Sequence, residues 1–491
     1  MEGNPVDRDP GAELARFDAA RLLSVDPGEA VTAKTTAAAT RDRLEQGRAK
    51  RAGLPRRSFG EWQPARDRPD PIAILEEQAA TRVADLVPVR HGRMLASPFA
   101  FFRGAAGIMA RDLGAEADSG IRVQCCGDAH LGNFGTFAAP DRKLVFDLND
   151  FDETLPAPFE WDLKRLSASI EIAARDNGHA SHEGRAAVER AIAAYQGAMS
   201  LLAGMRLIDS WYARIDVDRI AEVVAETALP QGVSATRREI RKARRRTGLR
   251  ALRKLTEGKD GELRIREDPP LIVRFDEQEY PGARETVENA LADYATALQP
   301  DRRALLERYR FVDFARKVVG VGSVGTEAFI VLLMGDRDDD PLFLQLKEAK
   351  ESVLAPFAGA SEYDHQGERV VQGQRLMQGA SDSFLGWLTG HGSRTLDYYV
   401  RQLRDMKGAV DIEGLYPRRF RAYAELCGAT LARAHARAGD AALISGYIGT
   451  GEVLRDSLAR YASAYADRNE LDHALLVDAV AGGRVEAVTG L

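Results

Sequence analysis

The stretch from Cys126 to Glu153 limits what this chain can fold into more than any other. It opens with Cys126-Gly127-Asp128-Ala129-His130-Leu131-Gly132-Asn133-Phe134-Gly135, a short polar loop with an Asp and, five residues later, an Asn. Ala139-Pro140-Asp141-Arg142 has turn chemistry and predicts a two-stranded hairpin. The second strand, Lys143 to Leu148, runs into the carboxylates Asp150, Asp152 and Glu153, with Asp147 just before them. Hard oxygen ligands on two neighbouring loops suit a Mg²⁺–phosphate centre, because Mg²⁺ takes one or two carboxylates together with phosphate oxygens and water.

The 491 residues leave room for two lobes and an insertion, or for about three domains. A hydrophobic content of 45% with 29% charged residues predicts a globular protein with a sizeable core. The net charge of −6 argues against nucleic acid as the main partner. Cys125, Cys126 and Cys427 have no metal-ligand spacing, and an odd count suits a reducing compartment. The start lacks a basic segment followed by an apolar one, and no run reaches the ~18 apolar residues of a membrane span. The expectation is a cytoplasmic protein with no membrane partner.

Along the chain, residues 1–60 are rich in Ala, Arg and Asp with little apolar periodicity, so a loosely ordered arm is expected, with its basic patch Arg48 to Arg57 solvated. Residues 61–310 are expected to form a helical lobe that holds the loop and hairpin. Within it, Ser97-Pro98 reads as N-cap and first-turn proline of an apolar helix from Phe99 to Leu113. Arg103 inside that helix either snorkels to the surface or faces an anion. Arg237 to Lys254 carries ten Lys or Arg residues beside a partial apolar stripe of Ile240, Ala243, Leu249, Leu252 and Leu255. No aromatics interleave it for base stacking, so a solvated basic face is expected.

At Phe311 the texture changes. Asp313 to Val319, Ala328 to Met334 and Leu342 to Lys347 read as strands of an antiparallel meander. Gly320-Val321-Gly322-Ser323-Val324-Gly325-Thr326 is a glycine-rich turn that opens a strand, whereas a dinucleotide-binding turn opens a helix. A β-rich lobe is placed at 311–407, ending with a strand from Leu396 to Leu403 and the basic residues Arg401, Arg404 and Lys407. Residues 408–491 read as C-terminal helices, Phe420 to Ala438, Gly451 to Asp467 and Glu470 to Ala481, packing on the helical lobe.

Phosphoryl transfer from a nucleotide needs a glycine-rich phosphate cover, a Lys on a neighbouring strand, metal ligands and a carboxylate that orients the acceptor hydroxyl. Gly320, Gly322, Ser323 and Gly325 are candidates for the cover and Lys347 for the strand Lys. Asp128 is the candidate base, and Asn133 with Asp150 the candidate metal ligands. Asp147 and Asp152 compete with Asp150 for the metal. His130 is expected to brace its loop or to act as a base.

Gly127-Asp128-Ala129-His130-Leu131-Gly132-Asn133 resembles the catalytic loop of the aminoglycoside-phosphotransferase and choline-kinase branch of protein-kinase-like enzymes, His-Gly-Asp-x-x-x-x-Asn. Asp150-Phe151-Asp152 through Asp162-Leu163 resembles that branch's metal-binding Asp and the helix start after it. The resemblance implies ATP and Mg²⁺ as cofactors, Asp128 as catalytic Asp, Asn133 and Asp150 as metal ligands, and Asp162 as a buried Asp that braces the loop. Cys126 stands where the branch usually has His. The glycine turn and Lys347 follow the catalytic loop by about 190 residues, whereas in that branch they precede it. Circular permutation of the lobes would restore the order. From about Asp70 to Ala481 the chain also resembles a bacterial family catalogued as a domain of unknown function, number 2252, notably at Phe101-Phe102-Arg103-Gly104, at the Gly127 to Gly135 loop and at Gln345 to Ala349.

The expectation is therefore an α+β, helix-rich, two-lobed protein-kinase-like fold with permuted lobe order. It would bind a nucleotide and phosphorylate a hydroxyl of an unidentified small molecule or protein. Two other functions fit some of the same residues. Gly127-Asp128-Ala129-His130 also opens metallophosphoesterase sites, although no Asn-His pair follows and the chain has eight His. A nucleotide-binding scaffold without activity is the other.

Overall fold

The structure, a computed structural model, describes residues 22–23, 38–227, 230–246, 248–259, 262–275, 280–318, 320–391, 395–403 and 406–490. Helix Phe159–Asp176 is the axis of its helical part, with every residue from Phe159 to Ala174 buried. Burial all round normally calls for apolar residues throughout. Here most polar exceptions are paired: Glu160 accepts from Ser119, Lys164 holds Glu116, and Ser169 accepts from Leu131 N, while Ser167 Oγ is buried without a partner. Asp162 and Arg165 point at the 126–133 loop. Helices Ser181–Gly204, Pro417–Ala438 and Val453–Ala481 pack around this axis.

Four strands carry the opening motif: β1 (Arg122–Cys125), β2 (Phe134–Ala138), β3 (Leu144–Leu148) and β4 (Leu155–Pro158). β1 pairs with β4, and β2 with β3 through the predicted 139–142 turn, closed by Arg142 N donating to Ala139 O. β5 (Ile215–Asp216) extends the β2–β3 hairpin on one side. Next come the hairpin β6 (Thr256–Lys259) and β7 (Glu262–Ile265), then β8 (Ile272–Arg274), β9 (Arg310–Lys317), β10 (Ala328–Met334), β11 (Pro341–Glu348), β12 (Gly386–His391), β13 (Thr395–Gln402) and β14 (Gly408–Ala409). β8 to β13 form one antiparallel sheet in the order β12-β13-β11-β10-β9-β8, with helix Gln366–Met377 between β11 and β12 in the chain. β14 returns to pair with β2.

Alternation along β11 sorts the two faces of this sheet. Leu342, Leu344 and Leu346 pack with Val331, Val400 and Tyr294 of helix Ala283–Ala297. Phe343 packs on the other face with Ile330, Leu332 and Ala315, and that face is closed by Ala251, Leu255 and Ile265. Leu252 and Leu255 of the basic segment's apolar stripe thus cover a sheet, Ile240 and Ala243 join the main core, and Arg250, Arg253 and Lys254 face solvent. The β-rich part also begins earlier than the expected boundary at 311, because β8 and the preceding helices supply one edge and both covers.

The other differences have local causes. Helix Ala38–Lys50 lies where a loosely ordered arm was expected, docked on helix Ala441–Ile448. Arg51 and Arg56 of the basic patch donate to the carbonyls of Gly446, Tyr447 and Ile448, so these cations cap the end of a helix. Most of the arm before residue 38 lies outside the described residues, as do Val319 and Arg404. The Phe99 to Leu113 helix is two helices, Pro98–Gly104 and Ala106–Gly114, broken at Ala105. The last two expected helices are one, Val453–Ala481, and within it the buried Asn469 amide donates to Pro98 O at 2.9 Å. The protein is α+β and helix-rich, and none of its described helices is long and apolar enough to cross a membrane. Its three cysteines are free and buried.

Candidate functional site

The loop after β1 is held by backbone capture. Asp162 accepts from Cys126 N at 2.8 Å and Gly127 N at 3.0 Å, and His435 Nε2 donates to the same carboxylate at 3.1 Å. That leaves His435 Nδ1 to accept from Tyr195 OH at 2.9 Å. Gly127 has φ +83°, and a Cβ there would stand 2.2 Å from the Glu153 carbonyl oxygen. The Gly127→Ala variant should lose about 1–2 kcal/mol from its backbone conformation alone, and more from that contact. Urea unfolding measures the loss, and an unchanged midpoint would mean the loop does not pack this tightly.

His130 Nδ1 accepts from Gly132 N at 3.0 Å and its Nε2 lies 3.6 Å from Asp128 Oδ2. Burial, then the charges of Arg103 and Arg165, push its pKa well down, so the ring is neutral and braces the loop. Asp128 Oδ1 accepts from Arg165 Nε at 2.7 Å. Burial raises the Asp128 pKa and Asp150 adds to the rise, while Arg165 opposes it; the net direction is upward. Asn133 Nδ2 donates to Asp128 O at 2.8 Å, leaving its amide oxygen for another partner. Asn149 N donates to Asn133 O at 2.8 Å, which ties the loop to the end of β3.

The three competing aspartates have three different surroundings. Asp147 is buried against Arg433 and accepts from Leu148 N and Gly379 N, so it joins β3 to helix Pro417–Ala438. Asp152 Oδ2 accepts from Lys347 Nζ at 2.5 Å and from Ser323 Oγ at 3.1 Å, and its Oδ1 accepts from Tyr399 OH at 2.6 Å. Burial opposes the Asp152 charge, yet Lys347, Tyr399 and Arg401 outweigh it and hold the carboxyl far below its usual range. Asp150 Oδ1 lies 3.6 Å from Lys347 Nζ and is buried without a hydrogen-bond partner. Burial works against the Lys347 charge, but Asp150 and Asp152 raise its pKa. Beside them, burial drives Glu153 up to about 7 against Val353 N and Arg369.

The glycine turn is clamped to the helices that precede the loop. Arg82 donates to Val324 O at 2.6 Å, Arg93 to Gly320 O, and Val83 N to Gly325 O at 2.7 Å. Gly320 and Gly325 have positive φ, and Ser323 faces Asp152. The turn, Lys347, the carboxylates and the Asp128 loop therefore meet in one place. Arg401 lies next to it with roles inside the fold: it donates to Gln345 Oε1 and Asn149 O and lies over Tyr399. The neighbouring Arg401 charge, with burial, lowers Lys407 to about 7.

Comparison with known protein families matches residues 82–479 to DUF2252, described as an uncharacterized protein conserved in bacteria. The matched span takes in every one of these site residues. The chain belongs to the DUF2252 family. No curated protein and no solved structure matches it.

Several residues of this DUF2252 site escape motif reading. Arg165 and His435 hold Asp128 and Asp162, and Tyr399 holds Asp152. Arg369, from helix Gln366–Met377, donates to the carbonyls of Asp152, Thr154 and Lys350, fixing the carboxylate loop to the sheet. One signal was present for Arg165: it stands three residues after Asp162, on the same helix face. Tyr399, Arg369 and His435 carried no comparable mark.

Proposed function

We propose that this DUF2252 protein is an ATP- and Mg²⁺-dependent phosphotransferase acting on a hydroxyl, built on a protein-kinase-like fold whose lobes are permuted in the chain. The observation that carries the proposal is the Lys347 ammonium set between Asp150 and Asp152, 195 residues from Asp152 in sequence. In protein kinases a glycine-rich loop covers the phosphates, the phosphate-binding Lys lies on the third strand of its lobe, and the metal ligands are an Asp and the catalytic-loop Asn. Here the glycine turn joins β9 to β10, and Lys347 is on β11, the third strand of that meander. One departure is the partner of the Lys. Helix Gln366–Met377 offers Arg369 to the carboxylate loop, and Asp152 takes the place of a helix-borne Glu on Lys347.

Asn133 and Asp150 fit a Mg²⁺ ion, since each has an oxygen that accepts no hydrogen bond and the Asp150 oxygen is already buried, beside Lys347 Nζ at 3.6 Å. Bound there, the ion would neutralise phosphate oxygens. Lys347 would hold the phosphates from the sheet side, with its position set by Asp152. Backbone N–H groups of the glycine turn would cover them. Asp128 would orient the acceptor hydroxyl and take its proton as the oxygen attacks the terminal phosphorus; the bridging bond breaks and its electron pair leaves with ADP. A two-metal phosphoesterase is less well supported. Among the described residues, the group of three ligand-type side chains within 4.8 Å is Cys125, Asp162 and His435, and Asp162 and His435 are occupied by hydrogen bonds.

The test is a thermal-shift titration with ATP, with and without Mg²⁺, beside the Asp150→Ala variant. At ~100 times its Kd a ligand bound only by the folded protein adds about 2.7 kcal/mol of stability. A Mg²⁺-dependent rise in Tm that the variant loses is expected. No rise at saturating nucleotide would refute the proposal.

A further inference from the structure

Two arginines approach the Asp128 carboxylate, and only one is engaged. Arg165 donates to Asp128 Oδ1 and to Phe102 O, each at 2.7 Å, and its guanidinium lies 3.7 Å above the Phe102 ring centre. Arg103, in the last turn of helix Pro98–Gly104, forms no ion pair or hydrogen bond with its guanidinium among the described residues, and its Nε is buried without a partner.

Its place is defined by the loops around it. A Cβ on Gly132 of the catalytic loop would stand 3.4 Å from Arg103 Nε, and one on Gly322 of the glycine turn 3.3 Å from Arg103 O. The helix end is thus sandwiched between the two loops, each presenting a glycine to it. Burial pulls the Arg103 pKa down while the charges of Asp128 and Glu413 oppose that pull. A buried polar nitrogen without an acceptor is destabilising, and an arriving anion would recover that cost. A guanidinium, moreover, presents donors in a planar fork that suits two oxygens of one phosphoryl group.

We propose that Arg103 is a catalytic residue that grips the transferring phosphoryl group between the glycine turn and Asp128. This rests on the phosphotransferase function proposed above. The acceptor oxygen bonds to the terminal phosphorus, its proton passes to Asp128, and the bond from that phosphorus to the bridging oxygen breaks with its electrons leaving on ADP. Arg103 holds the non-bridging oxygens throughout, supplying from within the chain the positive charge that other phosphotransferases borrow from a partner. Arg82 and Arg93 do not compete for this role, since they are turned to the carbonyl side of the glycine turn.

The experiment compares Tm shifts from ATP–Mg²⁺ and ADP–Mg²⁺ in the full-length protein, Arg103→Gln and Arg103→Lys. The wild type should rise more with ATP than with ADP. In Arg103→Gln that excess should fall to near zero with the ADP shift unchanged, and Arg103→Lys, which keeps the charge but not the fork, should retain part of it. A full ATP excess in the Gln variant overturns the proposal, and so does equal loss of both shifts, the mark of a structural role. Should the Gln variant fail to fold, an undiminished ATP excess in the Lys variant overturns it. A wild type that responds equally to ATP and ADP overturns this role alone; one that responds to neither removes the phosphotransferase proposal beneath it.

Discussion

Replacing Asp128 by asparagine should reduce phosphoryl transfer by about a hundredfold or more while leaving Mg²⁺–nucleotide binding in place. Positioned acid–base groups contribute about 10²–10⁴-fold, and asparagine keeps the size and the acceptor oxygen of Asp128 but cannot take the hydroxyl proton. The loop should keep its shape, because its backbone hangs on Asp162, through Cys126 N and Gly127 N, and not on the Asp128 side chain. Arg165 keeps Phe102 O as an acceptor, so the loss of Tm should be smaller than for a broken brace. The direction of the Asp128 shift adds a pH signature. Burial raises its carboxyl pKa, so wild-type turnover should fall on the acid side at a pH above the ordinary aspartate range. Steady-state rates across pH, with a Tm for each protein, check both. Wild-type turnover by the variant would remove Asp128 from the chemistry.

The largest stability effect is expected at a pair outside the chemistry. Arg433 and Asp147 are about 1% and 2% exposed and joined by an ion pair, with Arg433 also donating to Met377 O. Arg433→Met leaves the Asp147 carboxylate buried without its counter-charge, which costs about 3–5 kcal/mol. Two backbone N–H groups remain on Asp147 and hold the loss below that of a bare charge. Adding Asp147→Leu should recover most of the deficit, since well-packed apolar residues can replace a buried ion pair. The pH dependence follows from the carboxyl. Burial already raises its pKa with Arg433 present; without Arg433 the rise grows, so the single variant's deficit shrinks as pH falls and the group protonates. Urea unfolding at two pH values measures this. The double variant separates Asp147 from the metal role, because folded Arg433→Met/Asp147→Leu should still bind Mg²⁺–nucleotide.

How far the sequence reaches can be judged from particular residues. The 139–142 turn, β2, β3 and the meander β9–β10–β11 follow from turn chemistry and short apolar runs between turns, both properties of neighbours in the chain. Lys347 could be placed at a strand end beside a glycine turn for the same reason. Choosing among Asp147, Asp150 and Asp152 was beyond local pattern, because three nearby carboxylates look alike until their partners arrive. Those partners lie far off in sequence: Arg433 is 286 residues from Asp147, and Lys347 and Tyr399 are 195 and 247 residues from Asp152. The helix Ala38–Lys50 was missed likewise, since its polar composition says nothing of the helix Ala441–Ile448 on which it docks. By itself the sequence determined the loop, the hairpin, the meander strands and the inventory of chemical groups, for those rest on turn chemistry and local pattern. Tertiary structure alone decided which charges face each other. A buried ionisable group takes its role from the partner that offsets its desolvation, and that partner is chosen by packing across the fold.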